Sequence, residues 1–101
     1  MKLSILRGGG LAGIVTRTEL EADRLPPDAR AALAQKVESI GRLGDPAPPA
    51  SLPDELHYEV TIEDGRGKRA AHFSDSNLPK PLRELIEWAD ARPERTTRIE
   101  S

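Results

Sequence analysis

Cysteine is absent from this sequence of 101 residues. The absence excludes disulfide bonds, thiolate metal sites and a cysteine nucleophile, and it is typical of a reducing compartment, so we expect a cytoplasmic location. The sequence also lacks the apolar run of about 7–15 residues found in a signal peptide and the run of about 20 residues that crosses a bilayer. We therefore expect no membrane contact.

Aromatic residues and excess positive charge are both scarce. The aromatic residues are Tyr58, Phe73 and Trp88, too few for a platform on which bases stack. Fifteen Lys and Arg residues stand against seventeen Asp and Glu residues, which gives a net charge of −2. Because affinity for nucleic acids rests mainly on phosphate neutralisation, we expect no nucleic-acid partner.

The first forty residues predict a β-hairpin followed by a helix. Leu3 and Ile5 alternate with polar residues, as in a half-buried strand, and the pattern resumes over residues 11–20 after three glycines. The glycine-rich connection of this hairpin is predicted between about residues 7 and 13. Residues 25–28, Leu-Pro-Pro-Asp, predict a helix start. Gly41 and Gly44 are predicted to end this helix, and a proline-rich crossing follows over residues 45–50.

The clearest alternation in the sequence lies over residues 56–63. Its apolar positions predict one buried face, and residues 64–67, Asp-Gly-Arg-Gly, predict a turn into a returning strand. If this turn is short, Glu63 pairs with Lys68. The same register then gives the pairs Tyr58–Phe73, Val60–Ala71 and Glu59–His72, in which apolar residues meet apolar residues on the inner face. The predicted inner face of this strand consists of Leu56, Tyr58, Val60 and Ile62.

A second helix is predicted from an apolar stripe that begins at Leu78, with Trp88 at its margin and Pro93 at its end. The elements then follow the order ββαββα. This order predicts an α+β fold, a four-stranded, mainly antiparallel sheet with two helices on one face. Residues 1–91 are expected to form a single domain, and residues 92–101 a flexible charged tail.

Catalytic constellations are hard to assemble from these residues. No HExxH, GKS/T or GxSxG motif occurs. His57, Glu59 and His72 could share the outer sheet face and bind zinc, but a cross-strand charge pair is the commoner use of such positions. We therefore expect no catalytic residue, no metal ligand and no cofactor, although a metal-dependent hydrolase stays an alternative.

The glycine cluster allows two interpretations. A flexible hairpin loop is what glycine runs usually make, and Leu11 could close the edge of its own core. Leu11 is also a large apolar residue flanked by flexible positions, and an exposed residue of this kind is suited to enter another protein's pocket.

The order of motifs resembles the emfourin-like family, the protealysin-associated inhibitors. The resemblance begins with Gly-Gly-Leu-Ala-Gly at residues 9–13 and Leu-Pro-Pro-Asp at residues 25–28. It continues with an alternating strand that ends in Glu-Asp-Gly at residues 63–65 and a strand that ends in Phe73. It closes with Leu-Pro-Lys-Pro-Leu-Arg at residues 78–83. Roughly residues 1–90 are covered, and the charged segment after Trp88 lies outside.

The resemblance implies a small cytoplasmic bacterial protein that inhibits thermolysin-like, protealysin-type zinc metallopeptidases. Such enzymes favour a bulky apolar residue on the leaving side of the scissile bond, so we expect Leu11 to fill that pocket. The expected contact with the peptidase consists of Gly8, Gly9, Gly10, Leu11, Ala12 and Gly13. A monomer is expected, and the alternative function is a non-inhibitory adaptor that binds proteins through the exposed sheet face or edge.

Overall fold

The computed structural model describes residues 1–9, 14–40, 56–65 and 67–100. Within these residues the chain forms five strands, two α-helices and two short 3-10 helices, in the order ββαββαβ. The strands are β1 (Lys2–Gly9), β2 (Val15–Glu21), β3 (Leu56–Asp64), β4 (Gly67–Ser74) and β5 (Thr96–Glu100). The helices are α1 (Pro27–Ile40) and α2 (Lys80–Asp90). Gly41, Gly44 and the proline-rich crossing over residues 45–50 lie outside the described residues, as does Arg66 of the predicted turn.

The strands form one sheet in the order β4-β3-β1-β2-β5, and every pair in it is antiparallel. β1 is the central strand and pairs with both β2 and β3. The predicted register of the second hairpin is confirmed, because Tyr58 lies opposite Phe73, Val60 opposite Ala71 and Glu59 opposite His72. The short turn after Asp64 therefore sets the register as the sequence predicts.

The prediction of four strands in the order ββαββα is wrong. A fifth strand, β5, forms within the segment expected to be a tail and pairs with β2. Without β5, β2 would present an open edge, and its unpaired backbone groups are the template on which a further strand can add. The boundary at residue 91 and the flexibility of residues 92–101 stay predictions.

Both helices cover the same face of the sheet, as the sequence predicts. The strand residues that enter the core alternate along β1 and β3, so they point to one side of the sheet. The buried strand residues on this face are Leu3, Ile5, Leu20, Tyr58, Val60, Ile62 and Phe73. The helices contribute Ala29, Leu33, Val37, Leu82, Leu85, Ile86 and Ala89 to the same cluster. The opposite, outer face of the sheet carries mostly polar side chains.

Trp88 lies at the margin of the core, as predicted, and contacts the chain that leaves α2. Its ring is close to two cations, with Lys36 Nζ 6.0 Å and the Arg92 guanidinium carbon 5.8 Å from the ring centroid. Arg92 also donates two hydrogen bonds of 2.9 Å to the carboxylate of Glu94. These contacts hold the connection between α2 and β5 against the body of the protein.

Candidate binding site at the loop end of the sheet

Strand β1 ends at Gly8 and Gly9, the first two glycines of the predicted loop. Gly8 lies opposite His57 and Gly9 opposite Leu56 in the ladder with β3. A Cβ atom on Gly8 would lie 2.9 Å from Cγ2 of Val15, closer than real Cβ contacts come. Gly9 has a φ of 103°, in the left-handed region that favours glycine. Both glycines therefore have a structural role in bringing β1 and β2 together at the base of the loop.

The other predicted contact residues, Gly10, Leu11, Ala12 and Gly13, lie outside the described residues. The structure brings Gly8 and Gly9 to the base of the loop, and the role of all six residues in binding stays a prediction. The described part of the chain resumes at Ile14, directly before β2.

Polar side chains lie between the end of β1 at Gly9 and the apolar core. Arg7 occupies the helix-facing side of β1, opposite Tyr58, and donates a 2.9 Å hydrogen bond from Nη2 to Asp90 Oδ1. Asp90 ends α2, where its negative charge opposes the helix dipole, so the guanidinium stabilises both. The Tyr58 hydroxyl donates a hydrogen bond of 3.4 Å to Asp75, and burial, with the charge of Asp75, raises the pKa of Tyr58. The end of the sheet is thus tied to α2.

Exposed apolar side chains lie at this same end of the sheet. Among the described residues the exposed large apolar side chains are Met1, Ile14, Leu56 and Ile99, and the last three lie at the loop end. Leu56 is paired with Gly9, Ile14 precedes β2, and Ile99 lies opposite Thr16 near the start of β2. We call Ile14, Leu56 and Ile99 the apolar rim.

The sequence did not predict that the residues of the apolar rim are exposed, and the strand register explains why for Leu56. Leu56 was predicted on the buried face of its strand, and it occupies that face, but it is not buried. Its neighbour across the ladder is Gly9, which offers no side chain to cover it. Ile99 was missed because it lies in the segment predicted as a tail. The signal for it in the sequence was the alternation of Thr97 and Ile99 with charged Arg98.

The outer face carries the residues considered for a metal site. His72 and Glu59 lie directly opposite each other, with Nδ1 of the histidine 3.6 Å from Oε2 of the glutamate; His72 is exposed and Glu59 is half-buried. Within residues 1–9, 14–40, 56–65 and 67–100, no group of three His, Asp or Glu side chains is arranged to hold a metal ion. A depression on this face is lined by charges of both signs, including Lys2, Glu19 and Lys68. The arrangement favours a cross-strand charge pair.

The geometry defines a class: a small α+β domain with an antiparallel sheet, in which β1 ends at two glycines and exposed apolar side chains lie at the same end of the sheet. The family model named Emfourin matches residues 5–90, which is most of the chain. The chain therefore belongs to the Emfourin family, an inhibitor family for which metallopeptidases are the indicated targets. No curated protein and no solved structure matches the chain.

Two further findings bear on partners. Neither α1 nor α2, the helices of the described part of the chain, has the length and apolar character needed to cross a membrane. The family match ends at residue 90, so β5 and Ile99 lie outside it. The loop, β1–β4 and both helices lie within or overlap the match.

Proposed function

We propose that this protein inhibits zinc metallopeptidases of the thermolysin and protealysin type by inserting its glycine-rich loop into the active-site cleft. The observation that carries the proposal is the Emfourin family match over residues 5–90, because the family is one of inhibitors. The inhibitory segment comprises Gly8, Gly9, Gly10, Leu11, Ala12 and Gly13. The protein acts as a monomer in the cytoplasm, and no catalytic group of its own takes part.

The chemistry of the loop supports this assignment. Leu11 supplies the bulky apolar side chain that thermolysin-like enzymes favour on the leaving side of the scissile bond. The glycines around it carry no side chain, so the backbone can approach the catalytic zinc of the peptidase closely. The sheet below the loop is rigid, with β1 paired on both sides and Arg7 bound to Asp90. A fixed base limits the conformational entropy lost on docking.

The test is a titration of a thermolysin-like peptidase with the purified protein, using a peptide substrate. We expect complete inhibition at a molar excess of the wild-type protein. Leu11→Asp places a carboxylate in an apolar pocket, and we expect it to raise the inhibition constant by roughly 100-fold or more, since burying an unpaired charge is costly. Gln35→Glu adds the same charge on an exposed position of α1 and is expected to leave inhibition unchanged.

Two results would count against the proposal. Full peptidase activity in excess wild-type protein would remove the inhibitory function, and binding in a pull-down without loss of activity would favour the adaptor. Equal inhibition by wild type and Leu11→Asp would leave an inhibitor but remove Leu11 from its mechanism. The adaptor would use the edge of β4, which among the described strands pairs with β3 alone and is exposed over most of its length.

A further inference from the structure

The apolar rim stands out because its three residues lie at the same end of the sheet. Ile14, Leu56 and Ile99 are exposed by 54%, 43% and 73%, and they lie next to or near the end of β1 and the start of β2. Single exposed apolar side chains are normal on a soluble protein, whereas a group of them commonly marks a surface that binds another protein. Met1, the other exposed large apolar residue of the described chain, lies near Ala22 at the far end of the sheet.

The register places two of these side chains on one face. Leu56 lies two residues before the buried Tyr58 in β3, so it points to the helix-covered side of the sheet. Ile99 lies opposite Thr16, two residues from the buried Thr18, and therefore points to the same side. The two residues are separated by β1 and β2, with Gly9 between them. The helices do not cover this end of the face, since Leu56 and Ile99 stay exposed.

The strand that carries Ile99 is joined to β2 by its ladder and by an ion pair. Glu19 of β2 accepts a hydrogen bond of 2.8 Å from Arg98 of β5, and its other carboxylate oxygen lies 2.9 Å from Lys2 Nζ. β5 pairs with β2 over five residue positions, from Val15 to Glu19. An apolar residue on a paired strand loses less backbone entropy when it is covered than one on a free segment, which favours its use in binding.

We infer that the apolar rim is a second contact with the peptidase, outside the cleft that receives the loop. This inference rests on the proposed function, because any enzyme that admits the loop must bring its surface against the residues flanking the loop. The rim is continuous with both ends of the loop, through Gly9 beside Leu56 and through Ile14 before β2. The partner surface is therefore an apolar margin of the peptidase cleft. Ile99 lies beyond the family match, so its contribution would add to that of the loop and of the matched residues Ile14 and Leu56.

The experiment compares matched variants in the peptidase titration. Ile99→Asn removes the apolar side chain. Thr96→Asn is the control, because it introduces asparagine at an exposed position on the opposite face of the same strand. We expect Ile99→Asn to raise the inhibition constant roughly tenfold, the effect of losing one apolar contact, with complete inhibition still reached at high concentration. Leu56→Asn should also raise the inhibition constant. Ile99→Leu keeps an apolar side chain and should retain tight inhibition, and Thr96→Asn should have the inhibition constant of the wild type. Circular dichroism and thermal unfolding verify that each variant is folded.

The outcomes separate this inference from the proposed function. If Leu11→Asp weakens inhibition while Ile99→Asn and Leu56→Asn inhibit like the wild type, the rim is not a contact and the loop proposal stands. If the wild-type protein does not inhibit, the proposed function fails and the rim contact fails with it. If sedimentation shows a dimer that Ile99→Asn dissociates, the rim binds a second copy of the chain, which overturns the inference. A selective loss at the two rim positions supports it.

Discussion

At the scale of single residues, the glycines at the end of β1 act through backbone geometry. Gly8 permits the close approach of Val15, and Gly9 adopts a backbone conformation that side chains disfavour. The positions that shape the loop are therefore distinct from Leu11, the position proposed to enter the peptidase. Substitutions at the two kinds of position should have different effects: lower stability at Gly9, and lower affinity at Leu11.

Gly9→Ala tests this distinction. A Cβ atom at a φ of 103° is strained, so we expect the free energy of unfolding to fall by about 1–2 kcal/mol. Urea unfolding followed by circular dichroism measures the change. Gly65→Ala is the control, because a Cβ atom there meets nothing within 4 Å, and its effect should stay within about 0.5 kcal/mol. Equal stability of the two variants would contradict the structural role of Gly9.

At the scale of elements, the strand pairs show what local sequence can predict. The register of β3 and β4 follows from the pattern itself, because only one alignment brings Tyr58 opposite Phe73 and Val60 opposite Ala71. β5 could not be found in this way. It contains one large apolar residue, Ile99, and that residue is exposed, so the strand has no buried apolar stripe from which it could be predicted. Its formation depends on the open edge of β2, a feature of the assembled sheet.

The candidate site was predicted only in part for the same reason. The glycine cluster and Leu11 are visible in the sequence as a loop with an apolar residue. The exposure of Leu56 depends on Gly9, its neighbour in the ladder, although 47 positions separate the two in the sequence. Alternation correctly predicted the face on which Leu56 lies. Alternation could not predict that the side chains covering this face of the sheet end before Leu56.

The ion pairs of Glu19 make the attachment of β5 depend on pH. The pKa of the Glu19 carboxyl is held below its ordinary value of 4.5 by a hydrogen bond from Lys2 and by the charges of Lys2 and Arg98, while burial acts in the opposite direction. A lowered pKa in the folded state stabilises the protein above the pKa of the unfolded chain, and this contribution is lost as the pH falls through the lower folded value. The attachment should therefore weaken below about pH 4.5.

Glu19→Gln measures this contribution. We expect it to lower the free energy of unfolding by at most about 1 kcal/mol at pH 7, because the pairs on this face are partly exposed to solvent. The difference from the wild type should shrink as the pH is lowered from 4.5, because the stability that comes from the lowered pKa of Glu19 is lost as the pH falls towards the folded value. Glu38→Gln, at an exposed position of α1, controls for the loss of one negative charge. A difference that grows on acidification would contradict the sign of the argument.

At the scale of the whole molecule, stability falls from the centre of the sheet towards its edges. β1 pairs on both sides and carries Leu3 and Ile5, which are almost fully buried. β5 pairs on one side, and residues 96–99 within it are all exposed. Opening β1 requires the loss of the core, whereas opening β5 breaks one ladder and the Arg98–Glu19 pair. The two strands should therefore open with different free energies.

Native-state hydrogen exchange tests this difference and the predicted flexibility of residues 92–101. We expect the paired amides of β5 to exchange roughly 100-fold faster than those of β1, through local opening without unfolding of the core. Arg98→Gln should speed exchange in β5 further and leave β1 unchanged, because Arg98 lies in β5, whereas Glu19 keeps its ion pair with Lys2 of β1. Protection of β5 equal to that of β1 would mean that the strand opens only with the whole domain. The C-terminal segment would then be an integral part of the scaffold that presents the rim.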